Sequence, residues 1–201
     1  MNQLRYFALI ILTMLVFGSA ENFAQSSDSL NTHMIMCTSI EDAMKSPEKV
    51  FKLDLHKKKL KEIPAEVFQL TNLTELDLSR NKIKTIPAEI SKLKMLKKID
   101  ISRNNLETLP SEIGLLIKLK VLIANQNDLI SLPAEIGKLE NLEVLDLWGN
   151  NLSVFPDEME HLKKLKLMDL RVISLNDAAQ DRISNMLPNT KIHFSPSCNC
   201  K

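Results

Sequence analysis

Five glutamates recur at one position of a regular spacing, and a series of carboxylates is the first feature of this chain that suggests chemistry. Each follows a proline by two residues: Glu66, Glu89, Glu112, Glu135 and Glu158. Carboxylates serve as general acids and bases in many enzymes. However, Pro suits the first turn of a helix, and a Glu just after it favours the positive end of the helix dipole. We therefore predict that these glutamates stabilise short helical turns and are not catalytic.

Aspartates form a second series with the same spacing, at Asp54, Asp77, Asp100, Asp146 and Asp169. Five stacked carboxylates would repel one another, and a bound calcium ion could relieve that repulsion. Lysines and arginines that alternate with them can do the same. The four histidines are scattered without metal-site spacing, and the four glycines are too far apart for a phosphate-binding loop. The sequence therefore predicts no metal, no cofactor and no enzyme.

The elements that position these residues come from a repeat of 23 residues. Its six copies start at Val50, Leu73, Leu96, Leu119, Leu142 and Leu165. Apolar residues recur three and five positions after each start, an alternation that predicts a short strand. Eight positions after the start, four copies have Asn: Asn81, Asn104, Asn127 and Asn150. An Asn amide can both donate to and accept from backbone groups where the chain leaves a strand.

The second half of each copy carries an apolar residue, Pro, any residue, Glu and another apolar residue, as in Leu132-Pro133-Ala134-Glu135-Ile136. With this motif, the chain from Val50 to about Leu175 resembles the leucine-rich-repeat family, and most closely its Ras-group-like 23-residue type, which is also found in bacterial proteins. The resemblance implies an α/β fold, a right-handed solenoid with a concave parallel β-sheet and short convex helical turns. Family members mostly bind proteins, and the resemblance transfers no catalytic residues.

The two ends differ from the repeats. Residues 1–20 have the layout of a signal peptide: Arg5, an apolar run from Phe7 to Phe17, and small residues before a cut after Ala20 or, alternatively, Ala24. The run is too short for a spanning helix, so a membrane anchor is the weaker alternative. Residues 21–38 are predicted to be a flexible leader, 39–49 an N-terminal cap helix, 50–175 the six repeats, and 176–201 a C-terminal cap and tail.

The cysteines bear on whether the protein is exported, because disulfides form in secreted proteins. Six rungs of a parallel sheet span roughly 24 Å, whereas a disulfide needs Cα atoms within about 7 Å, so Cys37 should not pair with Cys198 or Cys200. Cys37 is left to pair between molecules. The Cys198-Asn199-Cys200 segment can form a local bridge, bind a metal with His193, or stay reduced.

Residues between the repeated leucines should line the exposed face of the sheet, because side chains alternate along a strand. An apolar group on the last three rungs, with the only Trp of the chain, is the predicted partner site; a charged rim lies on the first three rungs. The site consists of Val121, Ile123, Val144, Trp148, Leu167 and Arg171, and the rim of Lys52, Arg80, Lys98 and Arg103. The alternative is that the C-terminal tail covers this group.

The composition narrows the function. A formal net charge of +1 lacks the basic excess of most nucleic-acid-binding proteins. We predict a secreted, periplasmic or cell-surface bacterial protein, monomeric and not membrane-inserted once its signal is removed. It would bind a protein partner through its concave face. The alternative is a receptor module for a glycan or small ligand, although only 4% of residues are aromatic and could stack on sugars.

Overall fold

The computed structural model describes residues 34–196, so the predicted signal peptide, most of the leader, Cys198 and Cys200 lie outside the described part. In this range, eight parallel strands form one sheet in chain order. They are β1 (Ile35–Cys37), β2 (Val50–Asp54), β3 (Glu75–Asp77), β4 (Lys98–Asp100), β5 (Val121–Ile123), β6 (Val144–Asp146), β7 (Leu167–Leu170) and β8 (Lys191–Phe194). The predicted repeat is confirmed, since equivalent residues of successive copies pair across neighbouring strands.

Short 3₁₀ turns connect consecutive strands on the other side of the core. They are Ala65–Gln69, Ala88–Lys92, Ser111–Leu115, Ala134–Lys138 and Asp157–His161, each preceded by a proline at the N-cap. The repeated glutamates lie in the first turn, as their role in the fold requires. Short connecting turns of this kind commonly take the tighter 3₁₀ form. The α/β solenoid fold is thus confirmed.

Leucine and isoleucine side chains between the sheet and the 3₁₀ turns form one continuous core. Leu53, Leu76, Ile99, Leu122 and Leu145 occupy equivalent positions in successive strands and are all at most 1% exposed. No single copy can hide its leucines alone, so stacking of neighbouring copies stabilises the domain.

The asparagines form the ladder that their chemistry predicts. Asn104 donates from Nδ2 to the carbonyls of Leu78 and Ile101, at 3.1 and 2.9 Å, and its Oδ1 accepts from the Ile83 amide at 3.0 Å. Asn127 makes the equivalent bonds one repeat later. These side chains are buried. Each forms hydrogen bonds with backbone amide and carbonyl groups of two neighbouring repeats that do not take part in strand pairing.

The residue just before each Asn position has a left-handed backbone. Lys57, Arg80, Arg103, Gln126, Gly149 and Val172 all have φ between 52° and 67°. This conformation favours glycine, yet only one copy uses it. We call this position the left-handed corner of the repeat, and its residue type differs from copy to copy.

Both ends of the sheet carry an additional strand and a short helix. Helix α1 (Ile40–Ala43) has Ser39 as its N-cap, and α2 (Asp177–Met186) has Asn176. Strand β1 corrects the predicted leader: residues 35–37 pair with β2 and extend the sheet by one strand. Cys37 on this strand is 6% exposed, and burial raises the pKa of its thiol. A thiol so buried is not presented for a bond between molecules, as the sequence suggested it could be.

No helix within residues 34–196 is both long and apolar enough to cross a lipid bilayer.

Candidate functional site

Three rows of side chains cover the face of the sheet opposite the core, which we call the sheet face. Each row takes one residue from every copy, and strand pairing holds the rows in register. The rows are Lys52, Glu75, Lys98, Val121, Val144 and Leu167; Asp54, Asp77, Asp100, Ile123, Asp146 and Asp169; and His56, Ser79, Ser102, Asn125, Trp148 and Arg171.

The half of the sheet face on β2–β4 is polar. Lys52 Nζ lies 3.0 Å from Glu75 Oε2 on the next strand, and both side chains remain well exposed. A surface ion pair of this kind contributes less than about 1 kcal/mol. Asp100 accepts hydrogen bonds from the Ser102 hydroxyl and backbone amide, at 2.6 and 2.9 Å. Burial nevertheless raises the pKa of Asp100 above its usual value.

Asp54, His56 and Asp77 form the group of metal-ligating side chains found within the described residues. One ligand atom of each lies within 4.8 Å of the others. The Asp54 carboxylate is hydrogen-bonded to the His56 ring at 2.6 Å and to the His56 amide at 3.0 Å. Burial alone would raise the pKa of Asp54, but these hydrogen bonds outweigh it and lower that pKa. Hydrogen bonding therefore accounts for the arrangement without an ion.

The apolar half of the sheet face carries the predicted partner site on β5–β7. Val121, Val144 and Leu167 are paired residues of consecutive strands, and Ile123 lies in the adjacent row. None belongs to the core cluster. Their exposure is 8%, 9%, 5% and 8% respectively, so the expectation of an openly exposed apolar cluster is wrong. Equivalent side chains on parallel strands are only about 4.8 Å apart, and an unbroken apolar row therefore packs closely against itself.

Trp148 and Arg171 are neighbours in the third row and are only partly buried. The Trp148 amide donates to Asp146 Oδ1 at 3.2 Å, which ties the Trp backbone to the end of its own strand, β6. Arg171 forms a two-pronged ion pair with Asp169, at 2.9 Å from Nε to Oδ1 and 2.6 Å from Nη2 to Oδ2. The Asp169 side chain is 1% exposed. The predicted anchor Arg171 is thus largely committed to compensating a buried charge.

Asp146 is the buried acid whose importance the sequence did not reveal. It is 3% exposed and accepts a 2.6 Å hydrogen bond from Asn125 Nδ2. Burial, only partly offset by that bond and by the Trp148 amide, raises the pKa of Asp146 to about 6. Its place in the repeat could have indicated this burial, because Asp146 pairs in register with Ile123 and Asp169, beside an apolar row that keeps water away.

The four residues of the predicted charged rim do not lie together. Lys52 and Lys98 are on the sheet face, in the same row as Glu75. Arg80 and Arg103 lie beyond the strands at the left-handed corner, so they do not alternate with the aspartates. The rim is therefore two surfaces: a mixed-charge part of the sheet face and a basic part along the turns.

Comparison with known proteins gives a consistent result. Residues 73–191, more than half of the chain, match the family described as leucine-rich repeat region. No curated protein matches the chain significantly.

Among solved structures, a leucine-rich-repeat protein of Leptospira interrogans is 29% identical, with a TM-score of 0.65 over 81% of this chain and 48% of that one. Internalin C2 of Listeria monocytogenes, 21% identical, has a TM-score of 0.65 over 80% of this chain and 67% of its own, and shows the fold alone.

The ectodomain of the plant receptor kinase GASSHO1/SCHENGEN3 from Arabidopsis thaliana was solved in complex with CASPARIAN STRIP INTEGRITY FACTOR 2. It is 29% identical, with a TM-score of 0.60 over 74% of this chain and 18% of that one. The chain thus spans about half of the leptospiral protein and under a fifth of the plant ectodomain. The repeat, the asparagine ladder, the single parallel sheet and the family match agree: this chain belongs to the leucine-rich-repeat family.

Proposed function

We propose that this chain is an exported, non-enzymatic module that binds a protein through its sheet face, with Trp148 at the centre of contact. One observation carries the proposal: Val121, Val144 and Leu167 form an unbroken apolar row on the face turned away from the core. The fold does not need apolar residues there, because the equivalent positions on β2–β4 are Lys52, Glu75 and Lys98. A surface chemistry that the scaffold does not require indicates a binding role.

Because the apolar row of Val121, Val144 and Leu167 is nearly buried, a partner could contact only a small area of it. Side chains exposed by less than a tenth offer little area, so the row acts as a rigid apolar floor. Trp148, at the edge of that floor and only partly buried, offers the contact area. Tryptophan is among the residues that most often dominate binding energy, because its large rigid ring loses little entropy. Arg171, held by Asp169, would position a partner's polar groups beside Trp148.

The relatives support a protein partner. The GASSHO1/SCHENGEN3 ectodomain was solved in complex with CASPARIAN STRIP INTEGRITY FACTOR 2, and the plant peptide hormone receptor RGFR1 in complex with RGF2. Proteins of this family are typically binding modules, which supports a non-enzymatic role. The signal-like segment at residues 1–20 supports export.

The test starts by capturing proteins with the immobilised chain, identifying them and measuring the affinity of each purified partner. Trp148→Ala should weaken a true partner by about 2 kcal/mol, roughly 30-fold, without changing the melting temperature by more than a few degrees. Ile130→Ala is the matched control, since Ile130 is 53% exposed but lies off the sheet face. Equal affinity of the Trp148 variant and the parent chain would refute the site.

A glycan array run with the same two variants separates the second class of ligand. Trp148-dependent binding to a neutral glycan, with no protein captured, would replace the protein-binding proposal by a receptor for sugars.

Export has its own measurement. Expression in a bacterial host, followed by fractionation and N-terminal sequencing, should give a chain that starts at Glu21 or Gln25 outside the cytoplasm. An unprocessed cytoplasmic chain would contradict it.

A further inference from the structure

We propose that a second surface, the turns that follow β2 and β3, binds an acidic polysaccharide. We call this surface the basic edge. It consists of Lys57, Lys59 and Lys61 after β2, with Arg80, Lys82 and Lys84 after β3. It is distinct from the sheet face around Trp148, which lies on later strands.

Backbone hydrogen bonds between repeats stack these cations into columns. The Lys57 amide donates to the Ser79 carbonyl at 3.0 Å, and the Arg80 amide to the Ser102 carbonyl at 2.9 Å. One turn further, the Lys82 amide donates to the Leu60 carbonyl at 2.7 Å. Residues of adjacent repeats are therefore about 4.8 Å apart along each column. Six cations thus occupy a strip two repeats wide.

None of the six cations is paired within the described part of the chain. All six residues are exposed. The lysines and arginines that form ion pairs, with a nitrogen within 4.0 Å of a carboxylate oxygen, are other residues. The backbones that carry these cations are about 5 Å apart, and like charges on neighbouring repeats repel one another to the extent that salt does not screen them. A ligand with several negative charges along its length would relieve it at each rung.

The fold does not account for the cations. At the left-handed corner, later copies have Gln126, Gly149 and Val172 in place of Lys57, Arg80 and Arg103. Glycine would adopt this backbone more easily than lysine or arginine. Two positions further on, the later copies have Asn105, Asp128 and Asn151 where the first two have Lys59 and Lys82. The left-handed corner keeps the same backbone with or without a charged side chain, so the fold does not require a cation there. Two positions further on, Lys59 has a φ of 60° that its counterparts do not share, so the comparison at that position rests on Lys82.

The shape of the basic edge fits an extended chain with hydroxyl groups. Lys61, Lys82 and Lys84 line a shallow depression that continues to Asn105, Glu107 and Asp128. The lysines of the first two repeats would meet sulfate or carboxylate groups, and the Asn105 amide would meet hydroxyls. Glu107 and Asp128, on the next two repeats, would repel acidic groups, so the charges of the ligand would lie over the lysines. None of these lining residues is aromatic, whereas proteins that bind single-stranded nucleic acid use aromatic rings to stack bases. An acidic polysaccharide is therefore favoured over nucleic acid.

The test is a titration of a fluorescently labelled heparin oligosaccharide, and separately of an alginate oligosaccharide, into the full chain at several salt concentrations. The triple variant Lys59→Gln/Lys82→Gln/Lys84→Gln should bind at least about 10-fold more weakly, with a salt dependence reduced by two to three charges. Lys94→Gln/Lys138→Gln/Lys163→Gln removes the same net charge from exposed sites elsewhere and should change the affinity by less than about 2-fold.

Three outcomes would overturn the proposal. The first is an equal loss of affinity in both triple variants, which would mean that the whole field of the protein and not the basic edge attracts the ligand. The second is no binding of either oligosaccharide at low salt. The third is tighter binding of an oligo-dT strand that depends on the same three lysines, which would assign the edge to nucleic acid.

Circular dichroism melts of both triple variants establish that they fold. Trp148→Ala should leave the oligosaccharide titration unchanged, whether or not the protein-binding proposal holds.

Discussion

The repeats on β2–β4 and those on β5–β7 share one backbone but have opposite surfaces. On the first set, the sheet face is mostly polar and charged, and the paired side chains of Lys52 and Glu75 are each more than a third exposed. On the second set, Val121 and Val144 form a closed apolar row beside the half-buried Trp148. The turns differ in the same way, cationic at first and neutral or acidic later. Because leucines and asparagines fix the scaffold in both sets, the residues between them are free to specify two different surfaces.

Two aspartates of one row, Asp54 and Asp146, also differ in protonation, and Asp100 on the first set resembles Asp146 because burial raises its pKa too. Hydrogen bonds from His56 outweigh burial and lower the pKa of Asp54, whereas burial raises that of Asp146 to about 6. Equivalent positions of one repeat therefore hold carboxylates that respond to pH in opposite directions. What differs is the environment supplied by neighbouring rungs.

The largest expected effect is on the free energy of unfolding, and it tests whether the repeats on β2–β4 and those on β5–β7 are built on the same scaffold. Asn104→Ala and Asn127→Ala should each lower the free energy of unfolding by about 3–5 kcal/mol, because each leaves two carbonyls and an amide without partners inside the protein. Urea unfolding measures this. Asn105→Ala is the control, since that exposed side chain lies outside the ladder and should matter by less than about 0.5 kcal/mol. A loss confined to one of the two ladder variants would mean that the two sets are not built alike.

A smaller effect, on the order of 2–3 kcal/mol, comes from Asp146 and depends on pH. Between about pH 4 and 6, folded Asp146 holds its proton more tightly than the unfolded chain does, so its contribution to stability falls as pH rises through this window. Asp146→Asn should therefore gain stability relative to the parent chain as pH rises from 4 to 7. Melting temperatures of both proteins across this range give the difference.

Asp54→Asn should show the opposite trend. The ionised form of Asp54 is stabilised in the folded chain, so the parent is more stable than this variant at pH 7 and the gap closes as pH falls below about 4. Parallel pH curves for the two variants would contradict the contrast between Asp54 and Asp146.

The smallest effect concerns the left-handed corner. Val172→Gly should raise the free energy of unfolding by about 1 kcal/mol and Arg103→Gly by about 0.5 kcal/mol, because a branched side chain is strained most at positive φ. Gly149→Val should lose about 1 kcal/mol in the reverse direction. Thermal melts of the three variants test it. Loss of stability in Arg103→Gly would show that the fold needs a cation there, and would weaken the argument for a ligand at the basic edge.

Much of the fold followed from local patterns. The 23-residue spacing predicted the strands, the Asn positions predicted the ladder, and cap segments were predicted over residues 39–49 and 176–201, where helices α1 and α2 lie. Strand β1 was not predicted, because Ile35–Cys37 has no repeat signature and becomes a strand only by pairing with β2. The 3₁₀ form of the turns likewise depends on how closely neighbouring repeats pack. A Cβ at Gly114 or Gly137 would collide with the backbone of the next turn.

The candidate sites divide in the same way. Alternation along each strand was enough to assign Trp148, Val121 and Leu167 to one face, since side-chain direction in a strand has a period of two. The sequence could not give their burial, the pairing of Arg171 with Asp169, or the raised pKa of Asp146, because these depend on contacts and water exclusion between strands far apart in the chain. Nor could a net charge of +1 reveal the basic edge.

The sequence by itself determined the repeat, its core and its order of strands, because each is specified by residues less than one repeat apart. Only the tertiary structure decided which side chains meet across repeats. Stacking brings residues 23 positions apart to within about 5 Å, and at that distance charge, burial and hydrogen bonding act between them.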